Sequence, residues 1–182
     1  MFGIISFVLV LSRTGGVMKK KKKAYIFDID GTVADSEMRH LYVENIARGD
    51  WSWFTKRIPH FDPIKASVDM LLSLKKLKYK IIFITVRGEK DRDKTIEWLK
   101  RYNLYDDELY MRPDDSKSLK DYEEKEIHLV NLLERYEIVG AVDDNAQCLL
   151  MFRRYGISTF HFVKANTHAD NTNQLIDNNT EE

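Results

Sequence analysis

Ala24-Tyr25-Ile26-Phe27-Asp28-Ile29-Asp30-Gly31-Thr32-Val33 is an apolar run that ends in two aspartates one residue apart, followed at once by Gly-Thr. Residues two apart in a strand point the same way. A chain that curls after Asp28 can therefore offer one carboxylate and a neighbouring carbonyl to a metal, keeping the other carboxylate for proton transfer. Gly31 permits the tight turn that brings backbone close to a ligand. Asp and Gly are also ordinary turn residues, so a catalytic meaning depends on partner residues further along the chain.

Strand-like and helix-like stretches alternate after this run, which predicts an α/β, doubly wound, Rossmann-like domain with a mostly parallel sheet and helices on both faces. The first strand is Tyr25 to Ile29. Ile64, Val68, Leu71, Leu72 and Lys75 repeat at helical spacing, and Lys80-Ile81-Ile82-Phe83-Ile84-Thr85 reads as a buried strand. Asp91 to Tyr102 is amphipathic, Glu108 to Met111 a short strand, and Glu123 to Tyr136 a helix. Ile138 to Val142, Ala146 to Tyr155 and Thr159 to Val163 complete the pattern as strand, helix and strand. Ligands of such sheets sit outside the carboxyl ends of the strands. Asp28 with Asp30, Thr85, Lys125, and Asp143 with Asp144 all fall at that edge or in the loop and helix beside it.

The whole string, apolar run plus Asp-x-Asp-Gly-Thr, resembles the first motif of the haloacid dehalogenase (HAD) superfamily of phosphotransferases, and the partner motifs follow in its order. Phosphoryl transfer needs neutralised oxygens, an aligned nucleophile and a proton for the leaving group. Asp28 would be the nucleophile that forms an aspartyl-phosphate. Asp30 would protonate the leaving oxygen and later activate the hydrolytic water. Asp143, supported by Asp144, would join Asp28 and the carbonyl of Asp30 around Mg²⁺, a hard cation that prefers oxygen ligands. Thr85 would give hydroxyl and backbone donors to phosphate oxygens. Lys125 would be the fixed cation; Lys117 and Lys120 are rivals, but Lys125 opens an apolar-faced helix that can hold an ammonium still. A lysine near a helix amino end opposes the macrodipole and calls for an anion there.

More narrowly, Asp28 through Gly156 resembles the 3′-phosphatase domain of phage polynucleotide kinases. The matching pieces are Gly49-Asp50-Trp51, Thr85-Val86-Arg87, Thr95-Ile96-Glu97-Trp98-Leu99, Tyr110-Met111-Arg112-Pro113, Lys120-Asp121 with Lys125, and Val142-Asp143-Asp144-Asn145. The resemblance implies that Arg39 and Arg87 bind substrate, and that Asp121, one helical turn before Lys125, holds the lysine in place. Arg112 fits either a structural or a substrate-facing role. Relatives usually read Thr-Gly-Arg where this chain has Val86, which disfavours positive φ and so leaves the aim of Arg87 to the loop shape. Nothing in the sequence matches Gly-x-x-x-x-Gly-Lys-Ser/Thr, so kinase activity is not expected.

Ser36 to Pro63 is too short for a large cap and reads as a small lid carrying Trp51, Trp53 and Phe54. These aromatic residues pack the lid onto the core or, alternatively, one stacks on a nucleobase. A small lid favours large substrates such as nucleic-acid ends. The 182 residues suit one domain, taken as 24–163 with the lid at 36–63. Residues 1–23 read as a non-core segment with translation preferred from Met18. Phe2 to Leu11 is too short to span a bilayer that needs about 20 residues, leaving a membrane-surface anchor as the minority reading. Lys164 to Glu182, with five Asn, reads as a disordered tail.

The 29 basic residues balance the 29 acidic ones, so no global field draws the chain to nucleic acid or anionic lipid. The single Cys148, set among Leu149, Leu150 and Met151, reads as a small core residue and fits a reducing compartment. The expected setting is cytoplasmic, a host's cytoplasm if the chain is viral. The five His show no metal-ligand spacing. The sequence thus points to a Mg²⁺-dependent phosphatase acting on polynucleotide 3′-phosphate ends or nucleotides. A small-metabolite phosphatase and a non-catalytic nucleic-acid-binding module stay open as alternatives; the oligomeric state is not legible.

Overall fold

The computed structural model describes residues 20–36, 43–115 and 119–163. Five strands form one all-parallel sheet in the order β3-β2-β1-β4-β5. They are β1 (Lys22–Phe27), β2 (Lys80–Gly88), β3 (Leu109–Arg112), β4 (Tyr136–Asp143) and β5 (Ser158–His161). The helices are α1 (Val43–Ala47), α2 (Ser52–Arg57), α3 (Lys65–Lys76), α4 (Arg92–Arg101), α5 (Asp121–Arg135) and α6 (Ala146–Arg154). This is the expected doubly wound α/β architecture. The first strand begins earlier than the alternation suggested: Lys22 and Lys23 pair with Tyr136 and Glu137 in the ladder, although their side chains are exposed. It also ends earlier, because Asp28 is where the chain leaves the sheet to curl. Met18, Arg39, Lys117 and the tail 164–182 lie outside the described residues.

Alternation along the central strands feeds two cores. Phe27, Ile81 and Phe83 face Val68, Leu71, Trp98 and Leu99 on one side. Ile26, Ile82 and Ile84 face Leu129, Leu132, Met151 and Phe152 on the other. Strands buried on both faces are continuous apolar runs, as parallel sheets require. β4 carries an irregularity opposite Ala24 and Tyr25. Just beyond it, Gly140 leaves room for the Tyr25 ring, which a Cβ would meet at 2.7 Å.

The insertion between β1 and α3 contains α1, α2 and a 3-10 turn over Ile58–His60. It is bolted to α4 by polar contacts. Trp98 Nε1 donates to the Phe61 carbonyl at 2.8 Å, Arg101 Nη1 to that of Pro59 at 2.6 Å, and Thr55 Oγ1 to Asp91 Oδ2 at 3.0 Å. Trp53 and Phe54 are buried in this seam, while Trp51 is 42% exposed and stacks on Trp53 with ring centroids 6.2 Å apart. Two of the three aromatic residues therefore pack, and Trp51 is the one whose face is open.

No helix among the described residues is long and apolar enough to cross a membrane.

Beyond the core, Glu108 ties the start of β3 to the α5–β4 junction. It accepts from Tyr110 Oη and Tyr136 Oη, each at 2.6 Å, and from Arg135 Nη2 at 2.7 Å. Burial pushes the Glu108 carboxyl up, but the two phenols and the guanidinium outweigh it and hold the group below its ordinary 4.5. A carboxylate with a lowered folded pKa contributes stability above its unfolded pKa and loses it as pH falls through the folded value. Glu108→Gln should therefore lower stability at pH 7 by about 1 kcal/mol, since Arg135 is exposed and screened and the phenols dominate. Denaturant titration at a series of pH values should show this difference from wild type shrinking below pH 4.5.

Candidate active site

β1 and β4 are neighbours at the centre of the sheet, where the chain order reverses: β2 and β3 lie to one side of β1, β4 and β5 to the other. Crevices of parallel sheets open at that point. Phe27 is in register with Val142, and the Asp28 amide donates to the Val142 carbonyl at 3.0 Å. Asp28 and Asp143 thus leave adjacent strands at the same level. After Asp28 the backbone folds tightly: the amides of Thr32, Val33 and Ala34 all converge on the Ile29 carbonyl, at 3.3, 2.9 and 2.8 Å. Gly31 makes the turn at φ +82°, and a side chain there would overlap the Asp144 carboxylate. The glycine is required by conformation; the exposed Asp144 side chain would have to move aside to admit a Cβ.

Lys125, on the second turn of α5, sends its ammonium into the crevice. Its Nζ donates to Asp28 Oδ1 and to Asp143 Oδ2, both at 2.7 Å, and all three residues are buried. The lysine oddly placed near a helix amino end has its anions in these two carboxylates. The first turn of α5 also carries Asp121, Glu123 and Glu124, which offset the helix dipole. Burial pushes Lys125 down, but Asp143 and Asp28 outweigh it and hold the ammonium well above its ordinary value. Burial acts oppositely on Asp28: it raises the carboxyl above the ordinary carboxylate range, Lys125 pulls it back, and Asp143, Asp144 and Asp30 add to the rise. One ammonium faces more negative charge than it neutralises.

That deficit is the chemistry a cation would offset. Asp28, Asp143 and Asp144 each bring a carboxylate oxygen within 4.8 Å of the others, an all-oxygen set suited to Mg²⁺. Asp143 is buried and oriented by the Asn145 amide, which donates to its Oδ1 at 2.9 Å; Asn145 in turn caps α6 through the Gln147 amide. Asp144 is exposed and presents the entry side of the cluster. The residues present fit a hard divalent ion.

Asp30 stands apart from this cluster. Arg87 grips it with both edges of a fork, Nε to Oδ2 and Nη2 to Oδ1, each at 2.8 Å, while Nη1 donates to Thr95 Oγ1 at 3.2 Å. The guanidinium is buried, with its carbon 5.6 Å from the Phe54 ring centroid and 5.9 Å from that of Phe61. Val86 lies inside β2 without positive φ, and the register against β3 shifts across Thr85–Arg87, between the pairs Ile84–Tyr110 and Gly88–Arg112. Arg87, expected to contact substrate, is bonded to Asp30 in this structure. Thr85 lies buried in the same strand and its Oγ1 accepts from the Arg87 amide at 3.3 Å.

Asp121 was expected to hold Lys125. It pairs with Arg112 Nη2 at 3.0 Å, because the two buried carboxylates draw the Lys125 head away from the half-exposed rim. Arg112 also lies 3.8 Å from Glu124, so its charge serves the α5 entrance. Of the lysines considered, Lys125 lies in the crevice; Lys120 precedes α5 with its amide bonded to Glu123 Oε2 at 2.8 Å, and Lys117 is outside the described residues. Phe54, Phe61 and Thr95 contact Arg87 without having been singled out for it. Thr95 is visible only once β2 and α4 are placed side by side.

A family model for the polynucleotide kinase PNKP phosphatase domain matches residues 22–166. The chain belongs to that family. This PNKP-type domain is a phosphatase of the HAD class, and its parallel sheet is the Rossmann-like fold of its structural neighbours. It is similar to a chain of the Pnkp1/Rnl/Hen1 RNA repair complex, with 26% identity and a TM-score of 0.63 over 80% of this chain and 44% of that one. It spans less than half the length of that relative. It shares its fold with the class C acid phosphatase of Bacillus anthracis with tungstate bound, at 17% identity and TM-score 0.55 over 91% and 82% of the two chains. A haloacid dehalogenase-like hydrolase of Streptococcus pneumoniae shares it too, at 16% identity and TM-score 0.55 over 79% and 88%. No curated protein sequence matches the chain.

Two measurements probe the site. Mg²⁺ at about a hundred times its dissociation constant should stabilise the PNKP-type domain by about 2.7 kcal/mol. Calorimetry should show the accompanying rise in Tm with wild type and its loss in Asp143→Asn. Cys148 is fully buried, and burial pushes its thiol up to about 12. Since the thiolate is the reactive form, iodoacetamide at pH 8 should leave the folded protein unlabelled and modify it fully on denaturation, as read by mass spectrometry.

Proposed function

We propose that the chain is a Mg²⁺-dependent phosphomonoester hydrolase that works through an aspartyl-phosphate at Asp28, with polynucleotide 3′-phosphate ends as its substrates. The observation that carries the reading is the Lys125 ammonium bonded to both Asp28 and Asp143 at the crevice of the sheet. A module that only bound nucleic acid would have no use for a buried carboxylate of this kind.

An oxygen of Asp28 attacks phosphorus; the new O–P bond forms as the bond from phosphorus to the leaving oxygen breaks, and Asp30 gives that oxygen a proton. Asp30 then takes a proton from the attacking water, whose oxygen bonds to phosphorus as the Asp28–phosphorus bond breaks and phosphate departs. Lys125 holds Asp28 in line and lowers the charge that the incoming phosphate meets. Asp28, Asp143 and Asp144, with the Asp30 carbonyl, would hold Mg²⁺, which would supply positive charge for the phosphoryl oxygens. Thr85 serves the phosphate with its hydroxyl and backbone amide, and the family resemblance assigns Arg39 to the phosphate as well.

The substrate class rests on family membership and on the small size of the insertion, in which Trp51 is 42% exposed. The catalytic unit is 24–163, with the lid at 36–63 and the segments 1–23 and 164–182 flanking it. Its place is the cytoplasm, a host's if the chain is viral, in keeping with a lone buried thiol.

Phosphate release should be compared for a 3′-phosphorylated oligonucleotide, a nucleoside monophosphate and an aryl phosphate, with and without Mg²⁺. The oligonucleotide should be the best substrate by kcat/KM, and chelation should abolish turnover. Asp28→Asn should lower kcat by at least about 1,000-fold, the scale set by losing a covalent nucleophile. Full activity of that variant would sink the mechanism; a preference for the small phosphates would move the substrate to metabolites.

A further inference from the structure

Arg87 is the most enclosed cation among the described residues apart from Lys125. A guanidinium that bound a substrate phosphate would need an open edge. Here one edge is filled by both oxygens of Asp30, a third donor goes to Thr95, and the rings of Phe54 and Phe61 lie within cation–π distance of its carbon. Both rings belong to the segment between β1 and α3, which is bolted to α4 through Phe61, Pro59 and Thr55. Thr95 belongs to α4 itself. The seam between insertion and core therefore converges on one side chain, and that side chain ends on Asp30.

We propose that Phe54, Phe61 and Arg87 are positioning residues for proton transfer: the aromatic pair fixes the plane of the guanidinium, and the guanidinium fixes the carboxylate of Asp30. This rests on the reading of Asp30 as the proton donor and acceptor. A bidentate arginine sets both the position and the plane of a carboxylate. Each carboxylate oxygen has two lone-pair sites, so the fork leaves one on either oxygen to carry the proton. Without it the Asp30 side chain could rotate about two bonds, and a proton donor out of hydrogen-bond reach of the leaving oxygen loses its effect. The lid thus sets the efficiency of the acid without touching substrate.

Leaving-group chemistry separates this role from a structural one. An alkoxide such as a sugar oxygen needs a proton to depart, whereas 4-nitrophenol is acidic enough to leave as its anion. The first turnover isolates that step from the later hydrolysis, which needs Asp30 with every substrate. Rapid-quench measurements with Mg²⁺ would follow oligonucleotide dephosphorylation and 4-nitrophenolate release in Asp30→Asn, Arg87→Gln, Phe54→Leu and Phe61→Leu. Arg87→Gln should slow the oligonucleotide step about 100-fold and nitrophenolate release less than about threefold, and the leucine variants should show the same split at about fivefold.

Equal losses on both substrates, or a change confined to KM, would overturn the proposal; the second result would return Arg87 to phosphate binding. If Asp30→Asn shows no split, the proton-transfer reading itself fails. If Asp30→Asn splits and Arg87→Gln does not, the positioning role alone fails. Should Arg87→Gln not fold, the leucine variants, which keep the seam apolar, decide between the split and equal loss.

Discussion

The ammonium of Lys125 between Asp28 and Asp143 is the contact on which the rest of the site depends. Two adjacent parallel strands end in carboxylates at one level, and both are buried. Like charges about 4 Å apart at an effective dielectric of 20 repel by about 4 kcal/mol, so such a pair could not persist ionised without a partner. The partner arrives from α5, across the sheet from the insertion, on a helix whose first turn is acidic enough to tolerate a lysine so near its amino end. Removing the lysine would leave two buried charges facing each other, the costly kind of deletion in a buried network. The same arrangement leaves a net negative cluster whose three carboxylates fit a divalent cation, and it fixes the Asp28 side chain in place.

A second ion pair, Asp30 with Arg87, divides the crevice into two mechanical halves. One half is built on strand ends and helix α5 and is as rigid as the sheet. The other is tied to the insertion through Phe54, Phe61 and Thr95. Two aspartates separated by a single residue therefore answer to different parts of the fold. The tight turn around the Ile29 carbonyl allows this, turning the second carboxylate away from the first.

The sheet and the carboxylate cluster were legible because they rest on local signals. Apolar runs of fixed length ending in Asp28 or Asp143 leave a parallel strand few alternatives, and Lys125 stood out as a charge on an apolar-faced helix. The partners of long charged side chains were not legible. Asp121 and Lys125 share one helical spacing, yet Asp121 serves Arg112, since helical proximity says nothing about a buried acid two strands away. The Asp30 partner of Arg87 was hidden for the same reason: it depends on how β2 runs past Thr85, where the register against β3 shifts. The role of Phe61 was hidden because its contact partner lies more than twenty residues onward in sequence.

The seam between insertion and core also collects every indole in the chain. Trp51 and Trp53 lie in the insertion, and Trp98 reaches from α4 to its Phe61 carbonyl; the sequence holds three tryptophans and the sheet none. The protein's intrinsic fluorescence is accordingly a local signal. It reports whether the insertion is seated against α4 and, through Trp98, on the β1 and β2 face of the core, while no indole lies on the α5 face, from which Lys125 reaches the carboxylates.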